Sequence, residues 1–157
     1  MRVRSANRSE VDQLNAIAMQ AKAHWGYTAA MLDLWRESLC TAPESIEHWP
    51  TFVAEDEGKA IGFAQISPES ETWELVSLFV LPSHMGRGAG RALLQQAVLT
   101  AKQAGQSRLH IDSDPNAERF YLACGAVRVG TELAPIPGES ERVRPQLHLH
   151  TSGPTQA

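Results

Sequence analysis

The stretch Trp73-Glu74-Leu75-Val76-Ser77-Leu78-Phe79-Val80-Leu81-Pro82-Ser83-His84-Met85-Gly86-Arg87-Gly88-Ala89-Gly90-Arg91 decides the fold of this chain. Trp73 to Leu81 is rich in β-branched, aromatic and leucine side chains and stops at Pro82, which predicts a largely buried strand. Gly86, Gly88 and Gly90 follow at alternate positions, with Arg87 between them and Arg91 after them, and Ala92 to Leu99 reads as a helix. Strand, glycine turn and helix together make an anion site. Glycine lets the backbone turn tightly and a ligand approach it, while the free N–H groups and dipole of a helix start favour phosphate oxygens.

Two common phosphate motifs do not fit this turn. A Walker A loop needs Gly-x-x-x-x-Gly-Lys-Ser/Thr, and the chain holds no Lys-Ser or Lys-Thr pair. A dinucleotide fingerprint, Gly-x-Gly-x-x-Gly, needs glycine where Arg91 stands and normally follows the first strand of a βαβ unit.

Outward from the turn, periodicity places the other elements. Met1 to Ala6 suits a short edge strand, and Asn7 or Ser9 can cap a helix whose apolar positions Val11, Leu14, Ile17, Ala18 and Ala21 run to about Lys22. An aromatic turn, His24-Trp25-Gly26-Tyr27, precedes a second helix from about Thr28 to Cys40. Thr41 to Pro50 reads as a loop, and Thr51–Glu55 and Ala60–Ile66 as the strands of a hairpin turning at Asp56-Glu57-Gly58-Lys59. The strand from Trp73 completes an antiparallel meander. After the glycine turn its helix closes at Gly105, and Arg108–Asp112 reads as a strand parallel to the central one through a right-handed crossover. Asp114-Pro115-Asn116 opens a helix that ends at Gly125, Val127 begins a strand, Pro135 to Gly138 is a loop, and Gln146–His150 alternates as a last strand. Residues 1–150 are expected to form one domain and 151–157 a disordered tail.

Composition narrows the function. A chain of 157 residues with 43% hydrophobic and 20% charged residues has ordinary globular usage and suffices for one core. A net charge of -4 disfavours a nucleic-acid partner held by a basic surface. No apolar run approaches the roughly 18 to 20 residues of a membrane span, and the polar N-terminus lacks a signal-peptide core, so a cytoplasmic protein is expected. Cys40 and Cys124 form no ligand pair and read as buried free thiols at helix ends. Of the six histidines, His148 and His150 share a face of what reads as an edge strand without a third ligand, so no metal is expected. His84 reads as a solvated neighbour of the phosphate turn and His110 as a satisfied sheet residue.

Two segments carry a resemblance. Met85-Gly86-Arg87-Gly88-Ala89-Gly90, after Leu78-Phe79-Val80-Leu81-Pro82, resembles the coenzyme A pyrophosphate loop of the GCN5-related N-acetyltransferase (GNAT) superfamily, whose pattern is Gln/Arg-x-x-Gly-x-Gly/Ala. Met85 departs from that pattern, leaving its backbone N–H to contribute. Asn116-Ala117-Glu118-Arg119-Phe120-Tyr121-Leu122-Ala123-Cys124-Gly125-Ala126 resembles the family segment Asn-Ala-x-x-Phe-Tyr-x-x-x-Gly-Phe, with Ala126 in place of Phe. The element order β-α-α-β-β-β-α-β-α-β-β matches over nearly the whole chain. The resemblance implies an α/β (α+β) acyl-CoA N-acyltransferase fold, a mixed and mostly antiparallel sheet splayed into a V and flanked by about four helices.

It also implies acetyl-CoA as cosubstrate, bound by Leu78, Phe79 and Val80 in the manner of an added strand, by Met85, Gly86, Arg87, Gly88, Ala89, Gly90 and Arg91 at the pyrophosphate, and by Asn116 as a secondary contact. Tyr121 matches the position that protonates the departing thiolate, with Phe120 assigned to the core. Glu74 has the offset of the catalytic glutamate in histone-acetylating members. His24, Trp25 and Tyr27 lie where the family walls its acceptor pocket; a packed helix corner is the other reading. The acceptor is a small-molecule or protein amine, and dimers are common in the superfamily, so a homodimer is admitted. A non-catalytic acyl-CoA sensor or docking module is the second function class.

Overall fold

In the computed structural model of the chain, residues 1–152 are described. They divide into two compact units, Met1–Ser67 with Ser77–Ala97 and Pro68–Val76 with Val98 onward. Both a strand and a helix run from one unit into the other, so neither unit is a contiguous stretch of the expected domain.

The first unit begins with strand β1 (Arg2–Ser5) and a 3-10 turn, Arg8–Glu10, that runs into helix α1 (Val11–Ala23). Helix α2 (Ala29–Leu39) follows the aromatic turn, with the Thr28 hydroxyl accepting from the N–H of Met31. Where the sequence reads as a loop, the structure has a short helix α3 (Pro43–His48). Proline at its first position and the single buried anchor Ile46 suffice for it, too few residues to show a period. Strands β2 (Thr51–Asp56) and β3 (Lys59–Ser67) form the predicted antiparallel hairpin. Its turn places Glu57 at φ 50° and Gly58 at φ 78°, the left-handed pair that suits the twist of a two-residue hairpin. Leu14, Ile17 and Ala18 of α1, spaced as read, pack with Ile46, Val53 and Phe63.

Arg4 ties β1 to the elements beside it. Its Nε donates to Glu55 at 2.7 Å and its guanidinium to both oxygens of Glu10 at 2.6 and 3.0 Å, while Glu10 also accepts from the N–H of Asn7 at 2.8 Å. The Arg4 hydrogen bonds hold the Glu10 carboxyl below its ordinary range against the opposing effect of burial. A carboxylate depressed in the folded state stabilises above its unfolded pKa, about 4.3, and that stabilisation is lost as pH falls through the folded value. Glu10→Gln should therefore be less stable than wild type at pH 7, and the gap should close in denaturation series taken below about pH 4.

β3 is followed by β4 (Glu74–Val80), whose Ser77–Val80 part belongs to this first unit, and by α4 (Ala89–Gln103), which leaves the unit after Ala97. Gly62 of β3 allows them to come close. A Cβ there would lie 2.9 Å from the carbonyl oxygen of Phe79, 3.2 Å from Val80 Cγ2 and 3.3 Å from Leu93 Cδ1. The first of these atoms is backbone and cannot rotate away. Gly62→Ala should cost about 1 to 3 kcal/mol in chemical denaturation, the usual range for overpacking a filled core.

The second unit holds the start of β4, the end of α4, β5 (Arg108–Asp112), a 3-10 turn Pro115–Ala117 leading into α5 (Glu118–Ala123), β6 (Val127–Leu133) and β7 (Val143–His150). Strands β4 and β5 pair in parallel, as expected, through Glu74 with His110 and Leu75 with Ile111. β7 pairs antiparallel with β5 on one side and β6 on the other. β7 is thus interior and β6 is the edge, which corrects the reading of His148 and His150 as edge residues. On β5 and β7, Leu109, Ile111, Pro145, Leu147 and Leu149 face the core, and the alternate positions carry Arg108, His110, Asp112, Arg144, Gln146 and His148.

Thr151, counted with the tail in the sequence, is buried. Its N–H donates to Ser107 O at 3.0 Å and its hydroxyl to Gln106 O at 2.7 Å. The rest of the expected disordered tail, residues 153–157, lies outside the described residues. Cys40 is exposed and Cys124 half-buried, so neither is the sealed thiol expected. The strand order β1-β2-β3-β4-β5-β7-β6 is a mixed, mostly antiparallel sheet, and α3 raises the helices among the described residues to five. None of these helices is long and apolar enough to cross a membrane.

Candidate functional site

The glycine turn of the first unit has the geometry of an anion cradle. After β4, Pro82–His84 forms a 3-10 turn in which His84 N–H donates to Leu81 O at 2.8 Å and Met85 N–H to Pro82 O at 3.3 Å. The Met85 N–H is therefore spent within the chain, contrary to its expected part in the cradle. Gly86 and Gly88 take φ of 78° and 90°, which a side chain would strain. The first helical bond runs from Ala92 N–H to Gly88 O, so Ala89, Gly90 and Arg91 form the opening turn of α4, three residues ahead of its expected start at Ala92. From Gly86 to Arg91 the N–H groups meet no acceptor among the described residues.

Arg87 and Arg91 are exposed and likewise pair with no carboxylate among the described residues, as is also true of Arg2, Arg108 and Arg119, whereas Arg4, Arg8, Arg36, Arg128, Arg142 and Arg144 do. Six consecutive N–H donors, a helix N-terminus and two unengaged guanidiniums fit a ligand carrying a diphosphate. His84 stands beside the turn; its Nδ1 is 2.8 Å from Ser83 Oγ and its Nε2 3.8 Å from Asp56. Leu78, Phe79 and Val80 lead into the turn half-buried, with Phe79 packed on Phe63 at 5.8 Å between ring centroids. The ladder of β4 with β5 runs through Glu74 and Leu75.

The aromatic turn, also in the first unit, is only partly a packed corner. Gly26, at φ 87°, separates two groups. His24 and Trp25 are exposed, Trp25 by 40%, and meet edge to face at 5.4 Å. Tyr27 instead packs edge to face on Trp35 at 4.8 Å, with the Lys22 ammonium 5.3 Å from one ring centre and 5.1 Å from the other. Lys22 and Trp35 belong to this cluster and were not singled out in the sequence, although both lie within a helical turn or two of Tyr27.

In the second unit the covered ring of α5 is not the one expected, since Phe120 was assigned to the core. Tyr121 is the buried one, 7% exposed, while Phe120 is half-exposed and meets it at 5.3 Å. Burial, with smaller effects from Cys124 and Asp114, pushes the Tyr121 phenol above its ordinary pKa, so it stays protonated. Asn116 is exposed, and both its backbone N–H and its side-chain amide donate to Asp114 Oδ1, at 2.8 and 3.0 Å. Glu74 is half-buried and makes neither ion pair nor hydrogen bond among the described residues. Its register partner is His110, whose Nε2 is 2.9 Å from Gln146 Oε1. The sequence reading passed over Gln146, and its only signal is the alternation of β7. Among the described residues no three His, Cys, Asp or Glu side chains gather into a group that would hold a metal.

Comparison with known proteins agrees with this geometry. The chain is 29% identical over 94 residues to the peptidyl-lysine N-acetyltransferase YiaC of Escherichia coli, covering 59% of this chain and 62% of that one. It is 32% identical over 83 residues to the uncharacterized N-acetyltransferase Rv2669 of Mycobacterium tuberculosis, covering 50% and 53%. The matched part thus spans between half and two thirds of the length of these relatives. Among solved structures, a GCN5-related N-acetyltransferase of Rhodopseudomonas palustris superposes with a TM-score of 0.79 at 19% identity over 95% of this chain and 94% of that one. The PaiA N-acetyltransferase of Thermoplasma acidophilum, solved in complex with coenzyme A, gives 0.72 at 17% identity over 95% and 98%. YncA of Salmonella typhimurium, a putative acetyltransferase solved with acetyl-CoA, gives 0.71 at 20% identity over 100% and 97%. A profile of the acetyltransferase (GNAT) family matches residues 12–126, most of the chain and the whole of the glycine turn, and the chain belongs to that family.

Proposed function

We propose that this protein is an acetyl-CoA-dependent N-acetyltransferase of the cytoplasm that moves the acetyl group to an amine by direct attack in a ternary complex. The observation that carries the reading is the run of unsatisfied N–H groups from Gly86 to Arg91 with the unengaged Arg87 and Arg91. Backbone donors bind the pyrophosphate, the arginines add charge, and the backbone of Leu78, Phe79 and Val80 takes the pantetheine as a strand takes a neighbour. Acetyl-CoA supplies an activated thioester. An alkylammonium has a pKa near 10.4, so at pH 7 its proton must leave before its nitrogen attacks, and Glu74 supports that removal. Tyr121 protonates the departing sulfur, and the N–H of Val80 polarises the carbonyl oxygen.

Release of free coenzyme A, measured over a panel of small amines and lysine peptides, tests the reading. The peptides are included because the Escherichia coli relative is a peptidyl-lysine N-acetyltransferase. Turnover with at least one acceptor is expected. Calorimetric binding of acetyl-CoA with no turnover on any acceptor would favour the sensor or docking module instead.

The exposed His24 and Trp25, with Tyr27, border the acceptor in this proposal. Trp25→Ala should raise the acceptor KM roughly tenfold, the scale of one or two kcal/mol for a lost aromatic contact, and leave the KM of acetyl-CoA near its wild-type value. Equal effects on both substrates would return the turn to a packing role.

A further inference from the structure

We infer that His110 is a second proton-handling residue, held by Gln146 as a single tautomer with its Nδ1 lone pair kept for the acceptor's proton; this rests on the acetyltransferase reading above. Asp112 anchors the arrangement. Arg144 donates to its two oxygens at 2.8 and 3.0 Å, and Gln146 Nε2 donates to Oδ1 at 2.9 Å. Burial opposes ionisation of Asp112, but these donors outweigh it and hold the carboxyl below its ordinary range, so it is an ionised, acceptor-only group. The Gln146 amide cannot be reversed, because its oxygen would then face that carboxylate. Gln146 Nε2 donates also to Arg144 O at 3.3 Å, which fixes the same orientation. Gln146 Oε1 is therefore what meets His110 Nε2 at 2.9 Å, and a carbonyl oxygen only accepts. Nε2 must carry the hydrogen, and Nδ1 keeps its lone pair.

The same strand face supplies the rest. Glu74 of β4 lies opposite His110 in the parallel ladder. Arg108 and Asp112 flank His110 on β5, and β7 presents Arg144, Gln146, His148 and His150, with the His148 ring 5.4 Å from that of His110. The His148 pKa is pushed below its ordinary value, first by burial and then by His110, Arg108 and His150, which disfavours a second cation beside His110. An ordinary carboxylate, pKa near 4.3, is a weaker base than an imidazole near 6.5 by about 2 units, so imidazole is the better match to an ammonium proton at neutral pH. In the proposed step an N–H bond of the ammonium breaks, its electron pair becomes the amine's lone pair, and the proton bonds to His110 Nδ1. Glu74 across the ladder and Asp112 through Gln146 offset the imidazolium charge, and the proton then passes to water.

The test combines a pH profile with a spectroscopic readout. Nitrogen-15 spectra of the whole protein should show His110 as the Nε2–H tautomer, and Gln146→Leu should abolish that preference. In wild type, kcat/KM for the amine should rise with pH along an acid limb. His110→Gln should remove this limb and lower kcat at pH 7 by roughly a hundredfold, with a smaller loss near pH 9, where more of the amine is already neutral. Added imidazole should partly restore His110→Ala. The acetyl-CoA-induced rise in Tm should persist in both variants. A His110→Gln enzyme with unchanged turnover and pH profile, or an Nδ1–H tautomer in wild type, would overturn the inference and leave the acetyltransferase reading standing. A wild type that acetylates no amine would sink both.

Discussion

Replacing Tyr121 by Phe is expected to lower the turnover number for amine acetylation by roughly ten- to a thousand-fold while acetyl-CoA affinity changes little, on the scale of general-acid contributions. The substitution removes one oxygen and keeps the ring that packs on Phe120, so stability should hold and a loss of rate cannot be put down to unfolding. Burial raises the phenol's pKa above its ordinary value near 10. The acid form is thus fully populated across the neutral range, and Tyr121 should add no alkaline limb to the pH profile below about pH 10. Single-turnover kinetics with saturating acetyl-CoA are the appropriate measurement, since they remove product release from the observed rate. A Tyr121→Phe enzyme that keeps full turnover when chemistry limits the rate would show that proximity alone carries the reaction.

The second large effect concerns the cradle. Acetyl-CoA at about a hundredfold over its Kd should stabilise the protein by about 2.7 kcal/mol through mass action, visible as a rise in Tm. Gly88→Asp should abolish that rise, because it puts a carboxylate and a strained left-handed residue, φ 90°, where the diphosphate is proposed to bind. Gly90→Asp separates strain from obstruction. Gly90 lies in the first turn of α4, where an acidic residue is favourable to the helix, so the apo variant should be at least as stable as wild type and still lose the shift. An undiminished shift in both variants would displace acetyl-CoA from this turn.

Much of the fold was legible because its signals are local. The hairpin at Glu57-Gly58, the apolar spacing of Leu14, Ile17 and Ala18, the cap at Asp114 and the positive φ of Gly86, Gly88 and Gly105 are all requirements of residues a few positions apart. The residues of the cradle could be named for the same reason, since a glycine turn followed by a helix start exposes its donors whatever surrounds it. α3 escaped notice because a proline and one buried isoleucine over six residues carry no measurable period.

By itself, then, the sequence determined the order of the elements other than α3, the strand–turn–helix that presents free N–H groups to an anion, and the family. Tertiary structure alone decided which of Phe120 and Tyr121 is covered, that β7 lies inside the sheet rather than at its edge, and that Gln146 links His110 to Asp112 from 34 residues further along the chain. The physical reason is the range of the interactions. Backbone dihedrals and helical or strand period are set by near neighbours, whereas burial, tautomer and hydrogen-bond partner depend on groups that only the folded chain brings together.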